Sequence, residues 1–138
     1  MAVSFALGDR SRSRLVGVSP DLVRVVELAI TLTTQDFAVL EGLRTLERQR
    51  ELWAQGRTAP GKIVTWTMDS PHLKGLAVDL APWPIDWDTP SKFDAIAKAM
   101  FEAADNLGFC IRWGADWDQD GNPRERGEYD SPHFELSR

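Results

Sequence analysis

Two histidines and one aspartate are the residues of this sequence best placed to do chemistry. The chain contains only His72 and His133, and each of them follows a Ser-Pro pair. Asp79 lies between Val78 and Leu80 in a short apolar segment. Because side chains alternate between the two faces of a strand, Asp79 points away from both neighbours. An ionised carboxylate held against a protein interior is costly unless it is paired or binds a metal.

These three side chains suggest a metal site. Lys74 is the only cation nearby in the sequence, so local ion pairing offers Asp79 little. A divalent ion bound by His72, Asp79 and His133 would neutralise the carboxylate. Two imidazoles and one carboxylate suit Zn²⁺ and leave one position for water. The alternative is a pair of surface histidines and a salt-bridged aspartate, and the residues alone leave both interpretations open.

An acidic segment later in the chain resembles the first half of a calcium-binding loop. Its D-x-D-x-D-G pattern would place oxygen ligands at Asp116, Asp118 and Asp120, with a glycine at the turn. The second half departs from the pattern, because position twelve is Gly127 and the expected glutamate, Glu128, comes one residue late. A solvated loop is therefore the alternative to a Ca²⁺ site.

Length and composition describe an ordinary globular chain. Its 138 residues correspond to about one domain, and 43% hydrophobic with 27% charged residues argue against disorder. A net charge of −5 without a basic run argues against nucleic acid as a partner. The single cysteine, Cys110, excludes an intrachain disulfide and a thiolate zinc site. No apolar stretch approaches the ~20 residues of a membrane span, and the first residues do not resemble a signal peptide.

Helices and short strands must position these side chains. Periodic apolar residues predict three helices that begin after Ser19, Thr45 and Thr89, the last two ending at Gly56 and Gly108. Short strands are predicted at 37–43, 63–66, 77–81, 109–113 and 133–136, with loops at 57–71 and 114–131. This order predicts an α+β domain in which a small antiparallel sheet packs with about three helices.

The two histidine motifs resemble those of a known family. The pattern S-x-H-x-x-G-x-A-x-D at 70–79, followed by D-x-x-H-x-E at 130–135, is similar to the VanY-like zinc D,D-carboxypeptidases and L-alanyl-D-glutamate peptidases, particularly small phage endolysins. The likeness covers nearly the whole chain and includes the segments 42–45 and 114–117. It implies a fold like that of the Hedgehog and D,D-peptidase domains.

The resemblance also implies roles for individual residues. It places zinc ligands at His72, Asp79 and His133, a general base at Asp130 and a substrate-side arginine at Arg44. That arginine would stabilise an oxyanion or hold a substrate carboxylate.

The roles of three residues have an alternative interpretation. A salt bridge with Glu41 or Glu47 is the alternative for the arginine. Glu135 is a rival base or a residue that orients a ligand. Ser70 would contact the substrate, or serve only as a turn or cap hydroxyl.

The activity implied is zinc-dependent hydrolysis of the L-Ala-D-Glu bond of peptidoglycan by a phage or prophage endolysin, with cell lysis as the outcome. We expect one catalytic domain spanning residues 1–138 that acts as a monomer and does not insert into membranes. It would wait in the host cytoplasm, without a signal peptide, until holin-type release. The alternatives are a D,D-carboxypeptidase that removes terminal D-Ala, and a non-catalytic wall-binding domain on the same fold. The presence of both Asp130 and Arg44 argues against the last.

Overall fold

The structure, a computed structural model, describes residues 4–65, 70–125 and 128–137. In chain order the elements are α1 (Asp9–Arg14), α2 (Pro20–Leu32), β1 (Phe37–Glu41), α3 (Leu46–Ala54), a 3-10 helix (Pro71–Lys74), β2 (Ala77–Pro82), α4 (Pro90–Leu107), β3 (Ile111–Gly114) and β4 (Asp130–Leu136). None of the helices within these ranges has the length and apolar character needed to cross a bilayer.

The four strands form one antiparallel sheet in the order β1-β2-β4-β3. The strands β2 and β4 are therefore central, although they come from distant parts of the chain. Their pairing aligns Asp79 with His133 and Val78 with Phe134. The predicted α+β class with a small antiparallel sheet is confirmed.

One face of the sheet belongs to the hydrophobic core. Val39, Val78, Leu80 and Phe134 point to this face and join the core cluster with the buried sides of α2 and α4. Helix α2 contributes Leu22, Val25, Val26, Ala29 and Ile30. Each of the larger side chains, valine, leucine, isoleucine or phenylalanine, stabilises the fold by roughly 1.5–3 kcal/mol when it is fully buried.

The opposite face of the sheet carries the polar residues. Because strand side chains alternate, Asp79 on β2 and both His133 and Glu135 on β4 share the face turned away from Val78 and Phe134. Core packing on one face thus fixes which residues meet on the other.

Helix α1 is an element that the sequence did not predict. Its sequence, DRSRSR, has no apolar stripe, so periodicity could not reveal it. Bonds to the edge strand hold it in place: Val39 donates its backbone N–H to the Ser11 hydroxyl at 3.0 Å, and Arg14 donates to the Val39 carbonyl at 2.9 Å. The structure therefore has four α-helices in its described ranges rather than three, and α1 covers an otherwise open strand edge.

The predicted helix ends are confirmed, but only one of the predicted caps forms its bond. The Thr45 hydroxyl accepts a hydrogen bond from the Arg48 N–H at 3.1 Å. Ser19 and Thr89 occupy N-cap positions without a side-chain cap bond. Gly108 follows α4 with a φ of +79°, the left-handed conformation expected after a helix.

Several strand boundaries were wrong. Strand β4 begins at Asp130 instead of 133, β3 begins at Ile111 instead of 109, and β1 ends at Glu41 instead of 43. Residues 63–65 form no strand, and Trp66 of that prediction lies outside the described residues.

Candidate metal centre

The centre is built on the two central strands. Asp79 and His133 are direct partners in the β2–β4 ladder, with His133 Nδ1 3.4 Å from Asp79 Oδ1. Both side chains leave the sheet on the polar face. The backbone register therefore brings a carboxylate and an imidazole together with no loop involved.

The 3-10 helix brings in the second imidazole. Its N-cap, Ser70, accepts a hydrogen bond from the His72 N–H at 3.3 Å, and Gly75 ends the turn with a φ of +69°. Gly75 has no room for a side chain, because a Cβ there would lie 2.5 Å from the carbonyl oxygen of Gly17. His72 Nε2 consequently lies 3.3 Å from Asp79 Oδ1.

Hydrogen bonds on the far side of each ring orient both imidazoles. His72 Nδ1 lies 2.9 Å from the Gly42 carbonyl, which can only accept, so this nitrogen carries a proton. His133 Nε2 lies 2.9 Å from Glu135 Oε1, so this nitrogen donates to the carboxylate. Such outer partners typically fix the tautomer of metal-binding histidines.

A metal ion fits the residues that are present. With those protons assigned, lone pairs of His72 Nε2, Asp79 Oδ1 and His133 Nδ1 face one another, and one ligand atom from each residue lies within 4.8 Å of the others. The His72 and Asp79 atoms are buried and have no hydrogen-bond partner among the described residues. Lone pairs that converge without a proton repel one another, and a divalent cation removes this cost. Two nitrogens and one carboxylate oxygen are a donor set that suits Zn²⁺.

The electrostatics of the cluster favour positive charge. Burial alone would raise the pKa of Asp79, but the hydrogen bonds that His133 and His72 donate to it when their inward nitrogens are protonated hold that pKa well below its usual range. Burial would lower the pKa of His133, yet hydrogen bonds with Asp79 and Glu135 raise it to about 9. The same field that stabilises an extra proton stabilises a metal cation, and the two compete for one place.

Arg44 is held beside this centre by a pair of side chains. It donates from Nε and Nη2 to the two Glu41 oxygens at 2.8 and 2.7 Å, and from Nη1 to Gln49 Oε1 at 2.7 Å. The side chain is only 10% exposed, so the ion pair with Glu41 is part of the groove rather than a surface pair, and Glu47 is not the partner. These bonds use three of the five guanidinium N–H groups and leave two.

Sequence reasoning missed Gln49. This residue of α3 is fully buried, and its Nε2 donates to the Thr65 hydroxyl at 3.3 Å. A signal was available: Gln49 shares one side of the helix with Leu52 and Trp53, so an amide lies on the stripe that faces inward. Buried amides of this kind normally serve a neighbour, and here the neighbour is Arg44.

The remaining predicted residues lie around the cluster in different ways. Asp130 stands at the mouth with a side chain 56% exposed, its Oδ2 3.9 Å from His133 Nδ1. Burial of part of the carboxyl raises the pKa of Asp130, against the nearby positive charges of His133 and Arg44. Ser70 makes the cap bond that was the alternative to a substrate contact, and it also lines the groove. Glu135 contacts His133, as expected for an orienting residue.

A groove of about 800 Å³ runs past the cluster. Its lining includes the charged residues above and an apolar rim of Ile63, Val64, Trp117 and Tyr129. The centroid of the Trp117 ring lies 5.3 Å from the centroid of the His133 ring. The groove therefore has space and contact surface for an extended peptide.

The acidic loop gathers its carboxylates into two groups. Asp116 and Asp118 lie with Glu128, whereas Asp118 and Asp120 lie with Glu125. Glu128 is 4% exposed, and one of its oxygens accepts the Asp118 N–H at 3.0 Å, while the other has no partner in the part of the chain that the structure describes. The three aspartates predicted to act together thus do not share one group, and Glu128 reaches the loop despite its late position.

Comparisons with known proteins find a family that matches nearly the whole chain. A sequence profile of the phage L-alanyl-D-glutamate peptidase family matches residues 3–137. The chain is 35% identical over 143 residues to the L-alanyl-D-glutamate peptidase of Escherichia phage T5, a match that covers 97% of this chain and 99% of that protein. It is 33% identical over 111 residues to the peptidoglycan L-alanyl-D-glutamate endopeptidase CwlK of Bacillus subtilis (strain 168), covering 73% of this chain and 60% of that one.

Solved structures agree with the sequence matches. The crystal structure of the Serratia marcescens L-Ala D-Glu endopeptidase ChiX superposes with a TM-score of 0.78 at 35% identity, covering 99% of this chain and 91% of that one. The D,D-dipeptidase VanXYg superposes with a TM-score of 0.55 at 21% identity, covering 86% of this chain and 50% of that one, which indicates a shared fold.

Proposed function

Because the chain belongs to the phage L-alanyl-D-glutamate peptidase family, we propose that it is an endolysin that hydrolyses the L-Ala-D-Glu bond of peptidoglycan stem peptides. The observation that carries this proposal is the convergence of His72, Asp79 and His133 beside a groove that also holds Arg44 and Asp130. We also propose that residues 1–138 form a single catalytic domain.

The metal proposed is one Zn²⁺ ion held by His72 Nε2, Asp79 Oδ1 and His133 Nδ1. When bound, Zn²⁺ supplies Lewis acidity that polarises a carbonyl and lowers the pKa of water. The Gly42 carbonyl and the Glu135 carboxylate keep the two imidazoles turned so that the required nitrogens face inward.

Asp130 and Arg44 handle the proton and the negative charge. Asp130 has no ion pair shorter than 3.9 Å among the described residues and opens to the groove, so it can take a proton from the attacking water and pass it to the leaving amine. The two uncommitted N–H groups of Arg44 can donate to the oxygen on which charge develops. Because Glu41 already neutralises Arg44, we favour this role over binding of a substrate carboxylate. Ser70 lines the groove wall and is the proposed substrate contact there.

Digestion of purified peptidoglycan tests the scissile bond. New D-Glu amino termini support the endopeptidase, whereas release of free D-Ala would support the alternative D,D-carboxypeptidase. Absence of both products, with the wall still bound, would favour a non-catalytic wall-binding domain. We favour the endopeptidase over a binding domain because the buried Arg44 and the exposed carboxylate of Asp130 lie beside the cluster.

We also propose that the acidic loop binds Ca²⁺ through Asp116, Asp118 and Glu128, whereas Asp120, the third ligand expected from the sequence, lies with Asp118 and Glu125 instead. The buried Glu128 oxygen without a partner is the observation that favours an ion there. Because Glu128 is two residues before Asp130, an ion would order the segment that carries the proposed base. Calcium removal with zinc retained should lower activity, and readdition should restore it. Unchanged rates would contradict the proposal.

Release from the host follows from the same proposal. The protein would accumulate as a monomer in the cytoplasm and reach the wall only after a holin-type lesion opens the membrane. Expression in a sensitive bacterium should leave cells intact until the membrane is permeabilised, and lysis should follow. Immediate lysis without permeabilisation would contradict this route.

A further inference from the structure

A second, smaller cavity adjoins the groove on the far side of Glu135. It has a volume of about 190 Å³, and Ser70, Pro71 and Glu135 line both this cavity and the groove. Its other walls are Lys74, Leu76 and Leu136. A peptide bound across the metal centre therefore has a place for the side chain of a neighbouring residue.

Lys74 is the cation of this small cavity. It is the last residue of the 3-10 helix that carries His72, so its backbone position is fixed relative to the centre. Its side chain is exposed, and no carboxylate of the described ranges lies within ion-pair distance of it. Glu135, which also lines this cavity, is hydrogen-bonded to His133 at 2.9 Å. The ammonium group is thus available to a ligand.

The charges around the groove show why this cation matters. Four carboxylates line the groove, those of Glu41, Asp79, Asp130 and Glu135. The groove's own guanidinium, on Arg44, is already paired with Glu41. An acidic peptide entering the groove would meet repulsion that Lys74, a lining cation without an ion-pair partner among the described residues, can help to offset.

We propose that Lys74 binds the carboxylate of the glutamyl residue beside the scissile bond and so sets a preference for the free acid over its amide. The inference rests on the proposed function, because an L-Ala-D-Glu substrate carries one carboxylate beyond those used in its chain. Leu76 and Leu136 complete the lining of the cavity beside Lys74 and leave room there for the methylene groups that lead to this carboxylate.

The experiment compares two synthetic stem peptides that differ only in this group, one with the carboxylate and one with a carboxamide. For the zinc-loaded wild type, we expect kcat/KM to be about 5-fold higher for the acid, the size of a partly exposed ion pair. In Lys74→Gln the ratio should fall to about one, and Lys74→Arg should restore it. Lys98→Gln, on α4 and outside the groove lining, is the matched control and should keep the wild-type ratio.

A second measurement keeps the test independent of turnover. Calorimetry with the product peptides, whose amino-terminal residue is D-Glu or its amide, should give the same ratio in Kd and the same loss in Lys74→Gln. Equal affinities for acid and amide in the wild type, or a preference that survives Lys74→Gln, would overturn the role of Lys74. Failure to cleave either peptide, with the affinity preference present, would instead count against the proposed peptidase.

Discussion

His133 lies directly opposite Asp79 in the β2–β4 ladder, so the pairing of two strands sets the distance between the carboxylate and the imidazole. Opposed residues of an antiparallel pair have Cβ atoms about 4.5–5.5 Å apart, a separation that one ion can bridge. A slip of one residue would turn His133 into the hydrophobic core. The sheet therefore fixes the relative positions of two of the three proposed ligands.

Removing any of the three convergent side chains should remove the metal. We expect one zinc ion per wild-type chain, and Asp79→Ala to lose far more affinity than the ~10–100-fold typical of an outer partner. Metal analysis of purified protein measures this. Chelation should also lower the melting temperature, because an ion that binds only the folded state stabilises it. Full zinc occupancy in Asp79→Ala would refute the ligand set.

Glu135→Ala separates an orienting residue from a catalytic base. If Glu135 only holds His133, zinc affinity should fall about 10–100-fold and activity should return at saturating zinc. Glu135→Gln, which keeps an oxygen acceptor, should lose less. Activity that stays low with the metal fully bound would make Glu135 the base.

Asp130→Asn should keep the metal and lose the reaction. The amide is similar in shape but cannot take a proton, so kcat should fall about 10²- to 10⁴-fold. Zinc content and melting temperature serve as controls, because the side chain is 56% exposed and contributes little to packing. A variant with normal kcat would show that another group accepts the proton.

Gln49→Leu should act through Arg44. Loss of the 2.7 Å bond frees one end of the guanidinium, so we expect kcat to fall about 10-fold with KM little changed, as for a group that acts in the transition state. Gln49→Glu, which keeps the acceptor, should recover much of the rate. Arg44→Lys should also have a reduced kcat, because one ammonium group cannot bridge Glu41 and Gln49 with the geometry of a guanidinium group. A Gln49→Leu protein with normal kcat and reduced stability would indicate a purely structural role.

Sequence patterns predicted the elements that bury an apolar stripe. The apolar periodicity of the sequence predicted helices α2 and α4. Gly108 predicted the end of α4, because glycine readily adopts the left-handed conformation that it has there. The polar helix α1 could not be predicted, because its stability comes from bonds to Val39 that no local pattern encodes.

The start of β4 was hidden for a different reason. Pro132 reads as a loop residue, because proline cannot donate a ladder hydrogen bond. The structure tolerates it where the β3–β4 register shifts, between the pairs of Trp113 and Gly114. Gly114 permits the close approach, since a Cβ there would lie 2.2 Å from the carbonyl oxygen of Asp130.

The candidate site divides in the same way. Spacing and residue type pointed to His72, Asp79 and His133, but only the sheet register and the 3-10 helix explain their meeting. The Arg44–Gln49 contact depends on the orientation of α3 beside the groove. The sequence shows only that Gln49 lies on the side of this helix that faces inward.

Two hydrogen bonds connect His72 to the segment before α3. The imidazole lies 2.9 Å from the Gly42 carbonyl, and the Arg44 N–H donates to the His72 carbonyl at 2.9 Å. These two bonds connect the 3-10 helix, which carries a proposed metal ligand, to the backbone segment that carries Arg44. A change that rotates the His72 ring therefore also displaces the backbone of Arg44. Loss of the metal and displacement of the guanidinium group should then occur together.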